Sequence, residues 1–293
     1  MTQRPQLDAL PAEDVVDLLL AGEERVVPAV RERSREIARA AQLIADRMRA
    51  GGRLLFAGAG TSGRIAATEA SELPGTFGLP EATIRGCLAG GGSGVAGLGR
   101  DADEDDIGEA VHDAEDLAIV DSDTLIAVAA SGSTPYTCAV ADAASKAGAS
   151  IIAVVNVPES PLAKMADIAI EIPTGSEVLR DSTRLNAGTS QKITLNVLTT
   201  TAMARLGRIH GDLMVDVDPA NAKLRERAAG IVAEIAGCPL DTARTALKAC
   251  GGNTRAAVLQ VVTGASPWQA IGLSDHARTL REALAEAAKI QEL

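Results

Sequence analysis

The chain has 293 residues, 46% of them hydrophobic, 23% charged and only 1% aromatic; this suits one large or two modest domains and excludes a disordered chain. Thirty-nine acidic against 28 basic residues leave a net charge of −11, which works against a phosphate-backbone partner. Phe56, Phe77, Tyr136 and Trp268 are the whole aromatic content, too little for base-stacking platforms. Binding of nucleic acid is excluded on both counts.

No stretch reaches the ~20 consecutive apolar residues of a membrane-spanning helix. The opening residues carry Asp8, Glu13, Asp14 and Asp17, unlike a basic-then-apolar signal peptide. Cys87, Cys138, Cys238 and Cys250 form no C-x-x-C pair and no metal-like spacing with the histidines. The expectation is a cytoplasmic protein with reduced, buried thiols and no membrane contact.

In chain order, residues 12–50 read as helices, with Ile37, Ala41, Ile44 and Met48 at helical spacing and Pro28 near a boundary. Gly51-Gly52 stops that pattern. Short apolar strands are then predicted over 53–57, 83–88, 123–130, 150–156 and 168–172, with helical stretches over 63–73 and 135–147. Short, doubly buried strands separated by helices point to an α/β fold with a parallel sheet covered on both faces. Its ligands would sit beyond the carboxyl ends of the strands. Helices follow over 189–206, 219–236 and 276–290, with two short ones in 239–263 split by Gly251-Gly252. The predicted division is 1–50 for N-terminal helices, 51–218 for the sheet domain and 219–293 for a small helical module.

Residues 101–123 hold eleven acids and no Lys or Arg, so this stretch carries the whole charge imbalance. Asp101, Asp103 and Asp105 alternate as in a Ca²⁺ loop, but Asp106 stands at the sixth position where Gly is needed, and His112 at the twelfth.

Gly58-Ala59-Gly60-Thr61-Ser62-Gly63 follows a strand and opens a helix, matching G-x-G-x-x-G. The dinucleotide reading also needs a carboxylate at the end of the second strand, and that strand ends Leu88-Ala89-Gly90-Gly91-Gly92. Thr61 and Ser62 instead place hydroxyls at a helix N-terminus, where N–H groups and the helix dipole favour an anion. A second loop, Ser131-Gly132-Ser133-Thr134-Pro135, repeats the arrangement after the third strand. Neither loop is followed by a P-loop lysine, so a sugar phosphate fits better than a nucleoside triphosphate.

These two loops resemble the sugar isomerase (SIS) domain, a flavodoxin-like three-layer sandwich. A longer match resembles the N-acetylmuramic acid 6-phosphate etherases: Gly58–Arg64, Ala70-Ser71-Glu72, Thr76-Phe77-Gly78, Ala129–Gly132, Thr134-Pro135-Tyr136, Ser176–Leu179, Ser182–Leu185, Ala187-Gly188-Thr189, Gln191-Lys192, Leu213–Asp216, Asn221 and Lys223-Leu224. The resemblance implies cleavage of a lactyl ether by elimination across C2–C3 of the open-chain sugar, then hydration, in a homodimer without metal or other cofactor. It assigns the two catalytic carboxyls to Glu72 and Glu104, with Asp103 one residue away as the alternative to Glu104. Leu73 and Pro74 predict apolar surroundings for Glu72, suiting a proton donor. Phosphate and sugar contacts fall on Thr61, Ser62, Gly63, Ser131, Ser133, Thr134, Glu177, Ser182 and Lys223. Ser133 and Asn186 depart from the family pattern, which usually shows Arg and Lys there. The tail from Gly237 to Val262 resembles a ubiquitin-associated-type (UBA-like) helical module. Two other readings share the fold: a non-catalytic sugar-phosphate sensor, and a phosphosugar isomerase using Glu177 as base.

Overall fold

The computed structural model describes residues 6–91 and 103–291; Gly92 and Asp101, used above, lie outside them. Three helices come first: α1 (Ala12–Glu23), α2 (Val26–Arg31) and α3 (Ser34–Arg49). Pro28 sits inside short α2, close to its start, where a missing N–H costs nothing.

The sheet domain runs β1 (Leu54–Gly58), α4 (Gly60–Phe77), β2 (Ile84–Leu88), α5 (Ile107–Leu117), β3 (Thr124–Ala129), α6 (Pro135–Lys146), β4 (Ser150–Val155), α7 (Pro161–Met165), β5 (Ile168–Glu171) and α8 (Asn186–Arg205). All five strands are parallel, in the order β2-β1-β3-β4-β5. The chain reverses its direction of travel at β1, so connections leave β1 and β3 on opposite faces. That makes the β1/β3 boundary the switch point of the sheet.

Strand alternation builds two cores. Leu54, Phe56, Ile126, Val128, Ile152 and Val154 face α3, α4 and α8. Leu55, Leu125, Ile151 and Val155 face α5, α6 and α7, together with Tyr136 and Val140. With almost no aromatics, the layers close through alanines such as Ala66 and Ala70 of α4 and Ala141 and Ala144 of α6, each under 2% exposed. Each fully buried Leu, Ile or Val contributes about 1.5–3 kcal/mol of transfer free energy.

A two-residue hairpin, β6 (Ile209–His210) and β7 (Leu213–Met214), leads to α9 (Ala222–Ala236), α10 (Leu240–Ala249), α11 (Thr254–Thr263), α12 (Pro267–His276) and α13 (Leu280–Gln291). These last helices enclose their own core around Val232, Leu247, Val258 and Leu259, which Val215 and Val217 join from the preceding segment. Asp216 ties the two parts together, accepting from Arg208 at 3.3 Å and from Arg255 of α11 at 2.5 Å. Among the described residues, no helix is long and apolar enough to cross a membrane.

Candidate active site

The two hydroxyl loops leave adjacent strands. Gly58 of β1 pairs with Val128 of β3, so the first turn of α4 and the 131–134 loop emerge side by side at the switch point. Gly58 and Gly63 allow this turn to be tight: a Cβ on Gly58 would lie 2.8 Å from the Gly63 Cα, and one on Gly63 2.6 Å from the Gly58 carbonyl carbon. Ser62 and Gly63 are buried, and Thr61 is half-buried. No side chain caps α4, so the N–H groups of its first turn keep their anion-binding potential.

In the second loop, Gly132 holds φ at +64° directly over Ser160; a Cβ there would fall 2.0 Å from the Ser160 Oγ. Ser131 and Ser133 are exposed and Thr134 is half-buried. The Ser131 Oγ accepts the Ser133 N–H at 3.2 Å, which leaves the hydroxyl proton to donate. Thr134 is the N-cap residue of α6, yet its side chain makes no capping bond.

Glu104 lies against the first turn of α6, just beyond this loop. It is half-buried in the turn before α5, and its carbonyl oxygen accepts the Tyr136 N–H at 3.0 Å. Beneath, the Tyr136 hydroxyl donates to Asp113 Oδ2 at 2.5 Å, with both residues nearly fully buried. Burial pushes the Asp113 carboxyl above the ordinary carboxylate value, and the Tyr136 hydrogen bond opposes this. Burial also pushes the neighbouring Cys87 thiol up to about 12, so it is an inert core thiol.

Glu72 is elsewhere. The α4 helix starts at the carboxyl end of β1 and runs back toward the amino end of the sheet. Ser62 and Glu72 are ten residues apart on it, roughly 15 Å along the axis and about 80° apart around it. The apolar enclosure expected from Leu73 and Pro74 is absent: α4 continues through Pro74 to Phe77, and the Glu72 side chain is 60% exposed. Its neighbour is Lys192 of α8, with Nζ 3.8 Å from Glu72 Oε2. The same ammonium lies 2.9 Å from Glu69, a buried carboxylate that sequence reasoning passed over. Asn196 Nδ2 at 3.1 Å and Thr199 Oγ1 at 2.6 Å complete the donors to Glu69. The only sequence signal for this cluster was the i, i+3 spacing of Glu69 and Glu72.

The remaining residues are dispersed. Glu177 accepts the N–H groups of Asn186 and Ala187 at 3.1 and 3.0 Å, capping α8 from nine residues upstream. Asn186 is itself 1% exposed and packs toward Gly22 of α1. Ser182 is half-buried in the same loop. Lys223 is exposed on the first turn of α9, four residues beyond Pro219. Pro219 lines a broad cleft of about 1470 Å³, which opens between the second half of α4, the start of β2 and the C-terminal helices. That cleft is at the amino end of the sheet and touches neither hydroxyl loop; its lining of Arg208, Asp216 and Asp218 includes carboxylates unsuited to a phosphate.

Residues 22–156 match the SIS domain family. An N-acetylmuramic acid 6-phosphate etherase of Symbiobacterium thermophilum is 41% identical over 88% of this chain and 86% of its own length. Enzymes of the same name from Rubrobacter xylanophilus and Vibrio cholerae are each 38% identical, covering 90% and 95% of this chain and 88% and 93% of theirs. On this identity across nearly the whole length, the chain belongs to the N-acetylmuramic acid 6-phosphate etherase family.

Proposed function

We propose that the protein is a cytoplasmic carbon–oxygen lyase of cell-wall sugar recycling, converting N-acetylmuramic acid 6-phosphate and water to N-acetylglucosamine 6-phosphate and D-lactate. Family membership over about nine-tenths of the chain is the observation that carries this reading. The Ser/Thr loops at the switch point take the phosphate. Glu104, held by its carbonyl to the first turn of α6 just beyond the second loop, removes the C2 proton of the open-chain sugar. The electron pair forms C2=C3, the C3–O bond breaks, and Glu72 gives its proton to the departing lactate oxygen. Water then adds at C3, losing a proton to Glu72, while Glu104 returns its proton to C2. Every proton borrowed is restored.

In this scheme the protein is a homodimer in which each copy offers its Glu72, 60% exposed on α4 and roughly 15 Å along the helix from Ser62, together with Lys223, to the other copy's hydroxyl loops, which covers that carboxyl. The isomerase alternative needs Glu177 as a base, but both Glu177 oxygens are engaged at α8.

The deciding experiment is incubation of the purified protein with N-acetylmuramic acid 6-phosphate and assay of D-lactate. Stoichiometric release is expected; none at any protein concentration would end the etherase reading.

A further inference from the structure

Lys192 has an unusual setting for a half-exposed lysine. Its side chain is 39% exposed, yet its counter-ion Glu69 is 4% exposed and fixed from three sides. The three donors, Lys192, Asn196 and Thr199, fall at i, i+4 and i+7 on one face of α8. The ammonium is therefore held in place by a buried anion, beside but not hydrogen-bonded to Glu72 at 3.8 Å. An ammonium has three N–H groups. Glu69 takes one, and no other hydrogen bond of the ammonium is made among the described residues.

The substrate of the proposed reaction bears two anions, and the hydroxyl loops account for the phosphate alone. The second is the lactyl carboxylate, whose carbon is two bonds from the ether oxygen. Whichever group protonates that oxygen must have the carboxylate as its immediate neighbour. A lysine within 4 Å of the proton donor stands where that second charge arrives.

We propose that Lys192 binds the lactyl carboxylate and selects 3-O-carboxyalkyl ethers over sugar phosphates lacking a carboxylate, with Glu69 as the residue that positions its ammonium. This rests on the etherase reading and adds the specificity of its leaving group.

The test compares two ligands. Lys192→Met should raise the KM or Kd for N-acetylmuramic acid 6-phosphate by ~10–100-fold, the loss typical of one charge-assisted contact. The affinity for N-acetylglucosamine 6-phosphate, measured as a competitive inhibitor, should stay within about twofold, and Lys192→Arg should recover part of the loss. Because Lys192→Met strands the buried Glu69, the doubly neutral Glu69→Gln/Lys192→Met variant is measured alongside it. An unchanged ratio of the two affinities, or an equal loss for both ligands, would overturn the assignment. If the unaltered protein binds both ligands but releases no lactate, the etherase reading fails by itself, and the affinity ratio still decides Lys192.

Discussion

Tyr136 donates its phenolic hydroxyl to Asp113 Oδ2 at 2.5 Å inside the layer between α5 and α6, while its backbone N–H holds the Glu104 carbonyl at 3.0 Å. One residue thus joins a buried carboxyl to the turn bearing the proposed base. Tyr136→Phe is expected to cost about 1–3 kcal/mol, since it leaves Asp113 buried without its donor. Asp113 has a folded-state pKa raised by burial, so the native state holds its proton longer than the unfolded one. Its contribution is fully present below the unfolded value and is lost as pH rises through the folded one. Removing the opposing hydrogen bond raises the folded value further. Urea midpoints at pH 4 and pH 8 should therefore diverge more in Tyr136→Phe than in the unaltered protein; parallel shifts would refute the link.

Ser131→Ala should weaken binding of N-acetylglucosamine 6-phosphate by about 1.5–3 kcal/mol, the loss of one hydrogen bond to a charged group. The Ser131 side chain is exposed and, among the described residues, its one hydrogen bond is from the Ser133 N–H, so thermal stability should hardly change. Calorimetric titration checks this, and an unaltered affinity removes the loop from the phosphate site.

Mixing Ser131→Ala/Thr134→Ala protein with Glu72→Gln protein, each inactive alone, should restore up to about a quarter of the native rate if subunits exchange at random and each site draws Glu72 from the other copy. The mixed dimer has one intact site and one doubly damaged site. Sedimentation velocity on the same samples should report a dimer. A fully active monomer would contradict the shared site.

Glu72→Gln and Glu104→Gln should separate the half-reactions in deuterated water. With Glu72→Gln, the C2 hydrogen should still exchange while lactate release falls ~10²–10⁴-fold; with Glu104→Gln, exchange and release should fall together. Normal exchange in Glu104→Gln with loss in Asp103→Asn would move the base one residue upstream.

The strands and both hydroxyl loops are legible because continuous Val/Ile/Leu runs and glycine turns are local signals. Three helices were missed, α5, α7 and α12; α7 is only five residues long, and the other two had signals that were obscured or passed over. In α5, Ala110, Ala114 and Leu117 face the core at helical spacing, and Asp106 caps the Glu109 N–H, but eleven acids in the surrounding stretch read as a solvated run. The start of α12 carries a capping box between Ser266 and Gln269 with Pro267 at the first position. The early start of α8 depends on Glu177 reaching it from outside the helix, and Glu69 is buried only because α8 arrives beside α4. Neither fact is written within a local window. Ligands were expected beyond the carboxyl ends of the strands, and Glu72 lies away from those ends because α4 runs from Gly60 to Phe77.

That length makes α4 intolerant of single-residue insertion. One extra residue between Gly63 and Glu69 would swing Glu69 and Glu72 together by about 100° and advance them ~1.5 Å. Thr61, Ser62 and Gly63 would stay where they are. Glu69 would then leave the Asn196–Thr199 face as a solitary charge, and Lys192 would lose both of its carboxylates. Seven extra residues would nearly restore the facing but carry the pair roughly 10 Å further from the hydroxyls. The chain can lengthen its loops around the sheet freely; the interval between Gly63 and Glu72 is a gauge length that permits no such drift.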